Sequence, residues 1–177
     1  MHSNEKVSEI AKKIKLLIVD VDGVLTDGGI YFDDNGVEQK KFDSQDGLGI
    51  KLLQLSGIEV AVITARSTKS VAHRLKGLGV EHYYHGILDK SIALEKLIKK
   101  LSIDPSESAY VGDDVIDLPV MTRVALPIAL ANAQESVKDH VLMVTEKSGG
   151  NGAVREVCNF LLKSQDKYDA LVKSFLK

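Results

Sequence analysis

Two carboxylates, Asp20 and Asp22, follow directly on the aliphatic run Leu16-Leu17-Ile18-Val19. A short run of this composition reads as a strand buried on both faces. In extended chain, residues two apart project to one side, so Asp20 and Asp22 share a face at the strand's C-terminal end. That end is the edge of an open α/β sheet where ligands bind. Two negative charges held so close need a counter-charge, and a divalent cation would supply it. Gly23 lets the backbone turn sharply or approach a ligand closely. A bare Asp-x-Asp-Gly also suits an ordinary polar turn, so the rest of the chain must supply the other parts of a site.

Three further stretches could do so. Ile58 to Ile63 is a second apolar run, and it leads straight into Thr64-Ala65-Arg66-Ser67 before a helix reaching about Gly79. A hydroxyl, a turn of free backbone N–H groups and a helix N-terminus make a phosphate site, although Thr64 alone would be an ordinary strand-ending residue. Lys90 opens a helix carrying Ile92, Leu94, Leu97, Ile98 and Leu101. The helix dipole disfavours a cation there, so something anionic should face it. Finally, Ala109-Tyr110-Val111-Gly112 ends in Asp113, Asp114 and Asp117, a cluster of acids at a strand end that argues for a cation.

Taken in order, Asp-Val-Asp-Gly-Val-Leu-Thr-Asp at 20–27, Thr64, Lys90 and Gly-Asp-Asp-x-x-Asp at 112–117 resemble the four motifs of the haloacid dehalogenase superfamily. The resemblance implies a phosphatase in which Asp20 attacks phosphorus and Asp22 is general acid and base. It implies Mg2+ held by Asp20, Asp113 and the Asp22 backbone carbonyl, with Thr64 and Lys90 completing the clamp on the phosphoryl group. Asp117 would hold Lys90 or the metal's waters, and Asp114 is either a ligand or a helix cap.

From about Lys15 to Val144, apolar strands alternate with amphipathic helices. That pattern predicts an α/β fold, a doubly wound (Rossmann-like) parallel sheet with right-handed connections, in one domain over 1–177. A short helix over 3–14 should precede the first strand. Val80–Tyr84, Val124–Leu130 and Val141–Val144 read as further strands. Residues 28–42 read as a β-hairpin flap with an Asn35-Gly36 turn, hanging over the strand end next to Asp20 and Asp22. Phe42 to Gly49 reads as a polar loop opening a helix, with Asp43 or Ser44 as its N-cap. The Gly149–Gly152 glycines are either a flexible join or a close backbone approach, and 163–177 reads as a helical tail.

The insertion after the first motif is only a hairpin, and Thr64 to Lys90 leaves room for one helix and one strand, so there is no cap domain. The hairpin, Asp46-Gly-Leu-Gly-Ile50, Ile63-Thr-Ala-Arg66 and Gly149-Gly-x-Gly-Ala-Val-Arg-Glu156 together resemble the 3-deoxy-D-manno-octulosonate 8-phosphate phosphatases, homotetramers of lipopolysaccharide biosynthesis. That resemblance implies a small sugar-acid phosphate as substrate and sites near subunit interfaces. Arg66 and Arg74 are then candidates for the substrate's anionic groups, with Arg74 equally readable as a solvated helix charge or as serving a neighbouring subunit's site. Ala65 lies beside Arg66, and Asp43, Ser44, Gln45, Asp46 and Gly47 would line the sugar side. The family's usual Asn and Arg near this loop are replaced by Asp43 and Gln45, which weakens the carry-over of those contacts. His73 and Arg155 are weaker candidates. Ile30, Tyr31 and Phe32 are too apolar for an isolated flap and point to burial against another subunit.

Composition excludes several classes. Net charge is -2, with aromatics at 5% and no Trp, so neither a basic field nor stacking platforms favour nucleic acid. One cysteine, Cys158, excludes an internal disulfide framework and suits a reducing compartment. No stretch is long and apolar enough for membrane insertion and no signal-peptide core is seen, so the expected location is cytoplasmic. Three rivals stand beside this reading: a phosphatase of a nine-carbon sialic-type sugar phosphate, a phospho-receiver domain, and an inactive scaffold.

Overall fold

The structure is a computed structural model and describes residues 4–176. Helix α1, Asn4–Ala11, ends earlier than the 3–14 reading, because Lys12 and Lys13 turn the chain into the first strand; residue 3 lies outside the described residues. The sheet follows. Strand β1 is Leu16–Val19, and a two-stranded ribbon of β2, Tyr31–Phe32, and β3, Glu38–Gln39, comes next. Then come helix α2 at Ser44–Leu55, β4 at Glu59–Ile63, α3 at Lys69–Leu78 and β5 at His82–Tyr84. Helix α4, Lys90–Leu101, leads to β6, Ser108–Gly112, and the short α5, Leu118–Met121. Strand β7 at Leu126–Ala129, α6 at Glu135–Lys138, β8 at Met143–Val144, α7 at Ala153–Ser164 and α8 at Tyr168–Ser174 complete the chain.

Six parallel strands lie in the order β5-β4-β1-β6-β7-β8. The chain winds outward from β1 through β4 to β5, then returns to the other side of β1 and winds through β6, β7 and β8. The reversal beside β1 opens a crevice at the strands' carboxyl ends, where α/β sheets bind ligands. Alternation along β1 explains why its whole run is apolar: Leu17 and Val19 enter the core beneath α2 and α7, while Leu16 and Ile18 enter the core beneath α4 and α5.

The hairpin differs in detail from the sequence reading. Gly36 N donates to Asp33 O at 2.9 Å and Asp33 N donates to Val37 O at 3.1 Å. Asp34 and Asn35 are therefore the central turn residues, and Gly36 follows in the left-handed region at φ 74. The Asp33 carboxylate stabilises this longer loop by accepting from Asn35 N and Val37 N, which an Asn-Gly rule for two-residue turns does not capture. The 42–49 stretch also differs, since most of it is already helix. Asp43 is the cap, accepting from Gln45 N at 2.6 Å and Asp46 N at 3.2 Å, so α2 begins at Ser44. In the tail, Tyr168 and Leu171 pack against the chain's own core. No helix among the described residues is long and apolar enough to cross a membrane.

Candidate active site

Asp20 leaves the tip of β1, Asp113 the tip of β6 and Thr64 the tip of β4, and these three strands are adjacent. Their parallel register therefore delivers three polar side chains to one place. A cleft of about 250 Å³ opens there, lined by Asp20, Asp22, Gly23, Thr64, Ala65, Arg66, Asp113 and Asp114. A larger groove of about 840 Å³ lies at the opposite ends of the strands, around Lys13, Lys15 and Gln165. Its walls mix lysines with Glu9, Asp104, Glu107 and aliphatic residues, whereas the strand-end carboxylates gather in the smaller cleft.

Lys90 Nζ reaches 2.8 Å from Asp20 Oδ1 and 2.7 Å from Asp117 Oδ1, and all three residues are buried. The anions demanded by a lysine at a helix N-terminus are thus present. Asp89 caps the same helix by accepting from Ser91 N at 3.0 Å. Asp117 is fully engaged. Its Oδ1 also accepts from Tyr110 Oη at 2.6 Å, and its Oδ2 accepts from Asp113 N at 3.0 Å and Asp114 N at 3.2 Å. Asp114 is exposed and accepts from Val115 N, the cap alternative left open by the sequence.

Asp20, Asp113 and Asp117 can each present an oxygen within 4.8 Å of the others, a grouping able to hold a metal ion. Because four donors already occupy Asp117, the carboxylates free to turn toward a cation are those of Asp20 and Asp113. Burial and the Asp117 charge push Asp20 up to about 7, with Lys90 pulling the other way. Burial and the charges of Asp20, Asp117 and Asp114 push Asp113 up to about 7 as well. One buried lysine does not balance these acids, and the missing charge fits a divalent cation with hard oxygen ligands.

The backbone is shaped around this pair. Gly23 has φ +79, and a Cβ there would fall 2.0 Å from Asp113 Oδ2. Asn132 Nδ2 donates to Gly23 O at 2.9 Å while its Oδ1 accepts from Gly149 N at 2.7 Å. A Cβ on Gly149 would lie 1.9 Å from Gly23 O, so this glycine run is a close backbone approach and not a loose join. Thr64 is buried, and its Oγ1 accepts from Arg66 N at 3.3 Å.

The sugar-side residues fall elsewhere in the single chain. Asp43 caps α2, and Ser44 and Gln45 are exposed on its first turn. Gln45 borders a separate groove of about 680 Å³ with Lys147, Arg155 and Glu156. Asp46 is buried and accepts from Arg155 N at 2.7 Å, pinning α2 to the start of α7. Gly47 lies beneath Arg74, whose Nη2 donates to Asp43 O at 3.1 Å and whose guanidinium sits 5.9 Å from the Phe42 ring centroid. Of the two arginines, only Arg66 lines the cleft. His73 is exposed on α3.

Sequence reasoning passed over Lys40, Tyr110 and Asn132. Tyr110 carried a usable signal, since a phenol in a buried strand needs a partner. Lys40 and Asn132 had none, because only the tertiary fold brings them to the site.

Family models described as haloacid dehalogenase-like hydrolase match residues 84–157 and 38–120. The 3-deoxy-D-manno-octulosonate 8-phosphate phosphatase of Escherichia coli (strain K12) is 50% identical over 159 residues, covering 90% of this chain and 85% of that protein. A crystal structure of 3-deoxy-D-manno-octulosonate 8-phosphate phosphatase from Moraxella catarrhalis, in complex with magnesium ion, phosphate ion and a KDO molecule, is similar with a TM-score of 0.95. It is 45% identical, and the match covers 98% of this chain and 99% of that chain. The cobalt-bound form of the Haemophilus influenzae phosphatase is similar with a TM-score of 0.90 at 38% identity, covering 95% of this chain and 99% of that one.

Proposed function

The chain belongs to the haloacid dehalogenase-like hydrolases, and we propose that it hydrolyses 3-deoxy-D-manno-octulosonate 8-phosphate to the free sugar acid and phosphate. The observation that carries this reading is the buried Asp20–Lys90–Asp117 cluster beside Asp113, in a chain so similar over nearly its whole length to phosphatases of that substrate.

Asp20 is the nucleophile. Lys90, at 2.8 Å, orients its carboxylate and offsets charge that would repel a phosphate. Attack by a carboxylate oxygen forms an aspartyl-phosphate as the bond from phosphorus to the sugar oxygen breaks, and Asp22 gives that oxygen its proton. In the second half, Asp22 takes a proton from water, the water oxygen attacks phosphorus, and the acyl-phosphate bond breaks to restore Asp20 and release phosphate. Thr64 and Lys90 bind the phosphoryl oxygens, and Arg66 at the mouth takes an anionic group of the sugar acid. Asp20, Asp113 and the Asp22 carbonyl are the groups that would hold Mg2+, which would supply charge stabilisation to the phosphoryl group.

A homotetramer with sites near subunit interfaces is part of the same reading. Ile30, Tyr31, Phe32 and Val37 are exposed on the hairpin, and Leu88, Val115 and Ile116 are exposed on elements bordering the cleft. Apolar surface of this kind calls for a partner. The reading also includes a role in lipopolysaccharide biosynthesis and a cytoplasmic location, which the single thiol, Cys158, suits.

The deciding experiment is phosphate release with Mg2+ from this substrate, beside a panel of hexose and nine-carbon sugar-acid phosphates. Strong preference for the eight-carbon substrate, lost in Asp20→Asn, supports the assignment. Even activity across the panel removes the substrate and keeps the chemistry. A stable phospho-protein without turnover would favour a receiver.

A further inference from the structure

Lys40, at the end of the hairpin, is an unusual lysine: its side chain is 1% exposed. Its ammonium forms an ion pair with Asp22 Oδ1 and lies 2.8 Å from Glu38 Oε1. Glu38 Oε2 in turn accepts from Arg66 Nη2 at 2.8 Å. Burial alone would lower the Lys40 pKa, but the bonds to Asp22 and Glu38 outweigh it and raise it. The ammonium is therefore held charged.

This row of alternating charge runs from the loop after β1, through the hairpin, to the loop after β4. Asp22 has no other side-chain partner among the described residues. Without Lys40 the Asp22 carboxylate would be free to rotate about its own side-chain torsions, whereas a proton-transfer group must be held within hydrogen-bond reach of its target. A hydrophobic flap would not need a buried lysine, because burying an ammonium is costly unless it is paired. Here one of the two partners is the carboxylate that proton transfer requires to be oriented.

We propose that Lys40 is a positioning residue for the phosphatase reaction: it fixes the Asp22 carboxylate for proton transfer, and Glu38 holds Lys40 in place. This rests on the phosphatase reading above. The second half of the reaction relies on this carboxylate being aimed at the attacking water, so loss of Lys40 weighs most on breakdown of the aspartyl-phosphate.

The test uses the full chain with Mg2+ and compares wild type with Lys40→Met, Lys40→Arg, Glu38→Gln, Asp22→Asn and the double variant Lys40→Met/Asp22→Asn. Three quantities are read: kcat, KM, and the fraction of enzyme trapped as phospho-enzyme by acid quench. General acid–base groups contribute roughly 10²–10⁴-fold, and partial misplacement in Lys40→Met should lower kcat by roughly 10–100-fold. KM should stay within about threefold, and the trapped phospho-enzyme should rise. Lys40→Arg should recover most of the rate, and Glu38→Gln should show a smaller loss of the same kind. The double variant should be no slower than Asp22→Asn, since the two residues act as a unit.

A rise in KM at unchanged kcat would overturn the inference and make Lys40 a substrate contact. Multiplicative losses in the double variant would overturn it in favour of a scaffold role. If Lys40→Met does not fold, Glu38→Gln and Lys40→Arg decide by the same kcat and phospho-enzyme readouts. An inactive wild type would overturn the phosphatase reading itself, whereas an active wild type with unchanged kcat in Lys40→Met overturns only the role of Lys40.

Discussion

Gly23 and Asp113 occupy ground that leaves room for only a hydrogen: a Cβ on Gly23 would stand 2.0 Å from Asp113 Oδ2. The turn after β1 and the acid after β6 therefore cannot be varied separately. Gly23→Ala should drive the Asp113 carboxylate out of the cleft and force an alanine into φ +79, a strain of about 1–2 kcal/mol. The expected result is a loss of phosphate release of at least about 100-fold, well beyond the loss of stability. A titration of activity against Mg2+ should show a weakened apparent affinity, and a variant with normal activity would remove Asp113 from the site.

Much of this was legible in the sequence, for a physical reason. Asp20, Thr64, Lys90 and Asp113 each sit at the end of a strand or the start of a helix, and such ends are set by local apolar runs that can be read without the fold. For Asp117 the family resemblance offered two roles, holding Lys90 or the metal's waters, and the fold puts it on Lys90. The residues from Asp43 to Gly47 and Arg74 were harder. They belong to a helix cap and its supports, and their hydrogen bonds to Arg155 N and Asp43 O join segments far apart in the chain. Lys40 is the extreme case, since the register of the two-residue strand just before it decides whether it meets Asp22 or solvent.

The cation should matter to stability as well as to turnover. Asp20 and Asp113 are raised from 3.8 to about 7. A raised carboxylate binds its proton more tightly in the folded state, so its contribution is fully present below the unfolded value and is lost as pH rises through about 7. Without metal, Tm should therefore fall between about pH 4 and 7. Mg2+ binds the ionised forms, so its stabilising shift should grow over the same window, by more than about 2 °C. Thermal melts in Mg2+ and in EDTA at several pH values check this. EDTA should also abolish phosphate release, and full turnover in excess chelator would sink the metal-dependent reading.

Asp117→Asn should be costly even though it changes one atom. Both carboxylate oxygens accept hydrogen bonds, Oδ1 from Lys90 and Tyr110, and Oδ2 from Asp113 N and Asp114 N. Whichever way the amide turns, its NH2 meets donors, and Lys90 loses a buried counter-charge. Breaking such a pair costs about 3–5 kcal/mol, or roughly 6–20 °C in Tm for a chain of this size. Asp114→Ala, which removes an exposed cap, should cost only about 0.5–2 kcal/mol. Melting curves of the two variants side by side give the comparison, and equal losses would mean that Asp117 is not the keystone of the cluster.

Asp46 separates a structural role from a substrate contact. It is buried, its Oδ1 accepts from Arg155 N, and its Oδ2 has no partner. Burial raises its pKa to about 6. Its contribution to stability is accordingly lost as pH rises through about 6. Asp46→Asn keeps an acceptor and does not titrate, so its Tm relative to wild type should rise from about pH 4 to pH 6. Asp46→Ala should be less stable than Asp46→Asn at both ends. If Asp46 reaches the sugar in the assembled enzyme, Asp46→Asn should instead show a KM raised by roughly tenfold or more.

The two arginines make the sharpest contrast, because both are sequence candidates for the substrate's anionic groups and the fold places them differently. Arg66 lines the cleft at its mouth, exposed, its side chain tied among the described residues only to Glu38. Arg74 is half-buried, donates to Asp43 O and covers the Phe42 ring, and its guanidinium fills the space above Gly47. Arg66→Ala should therefore leave Tm nearly unchanged, since an exposed ion pair contributes only about 0–1 kcal/mol. It should raise KM by roughly 10-fold or more, because charge-assisted hydrogen bonds to an anion are worth about 1.5–3 kcal/mol. Arg74→Ala removes a cap support and packed aliphatic stem, so it should lower stability by about 1–2 kcal/mol. Its KM should move less than that of Arg66→Ala. Steady-state kinetics and melts on both variants test the assignment. The reverse pattern, a KM effect confined to Arg74→Ala, would mean that a neighbouring subunit carries Arg74 to the substrate and that the cleft of one chain is only part of the site.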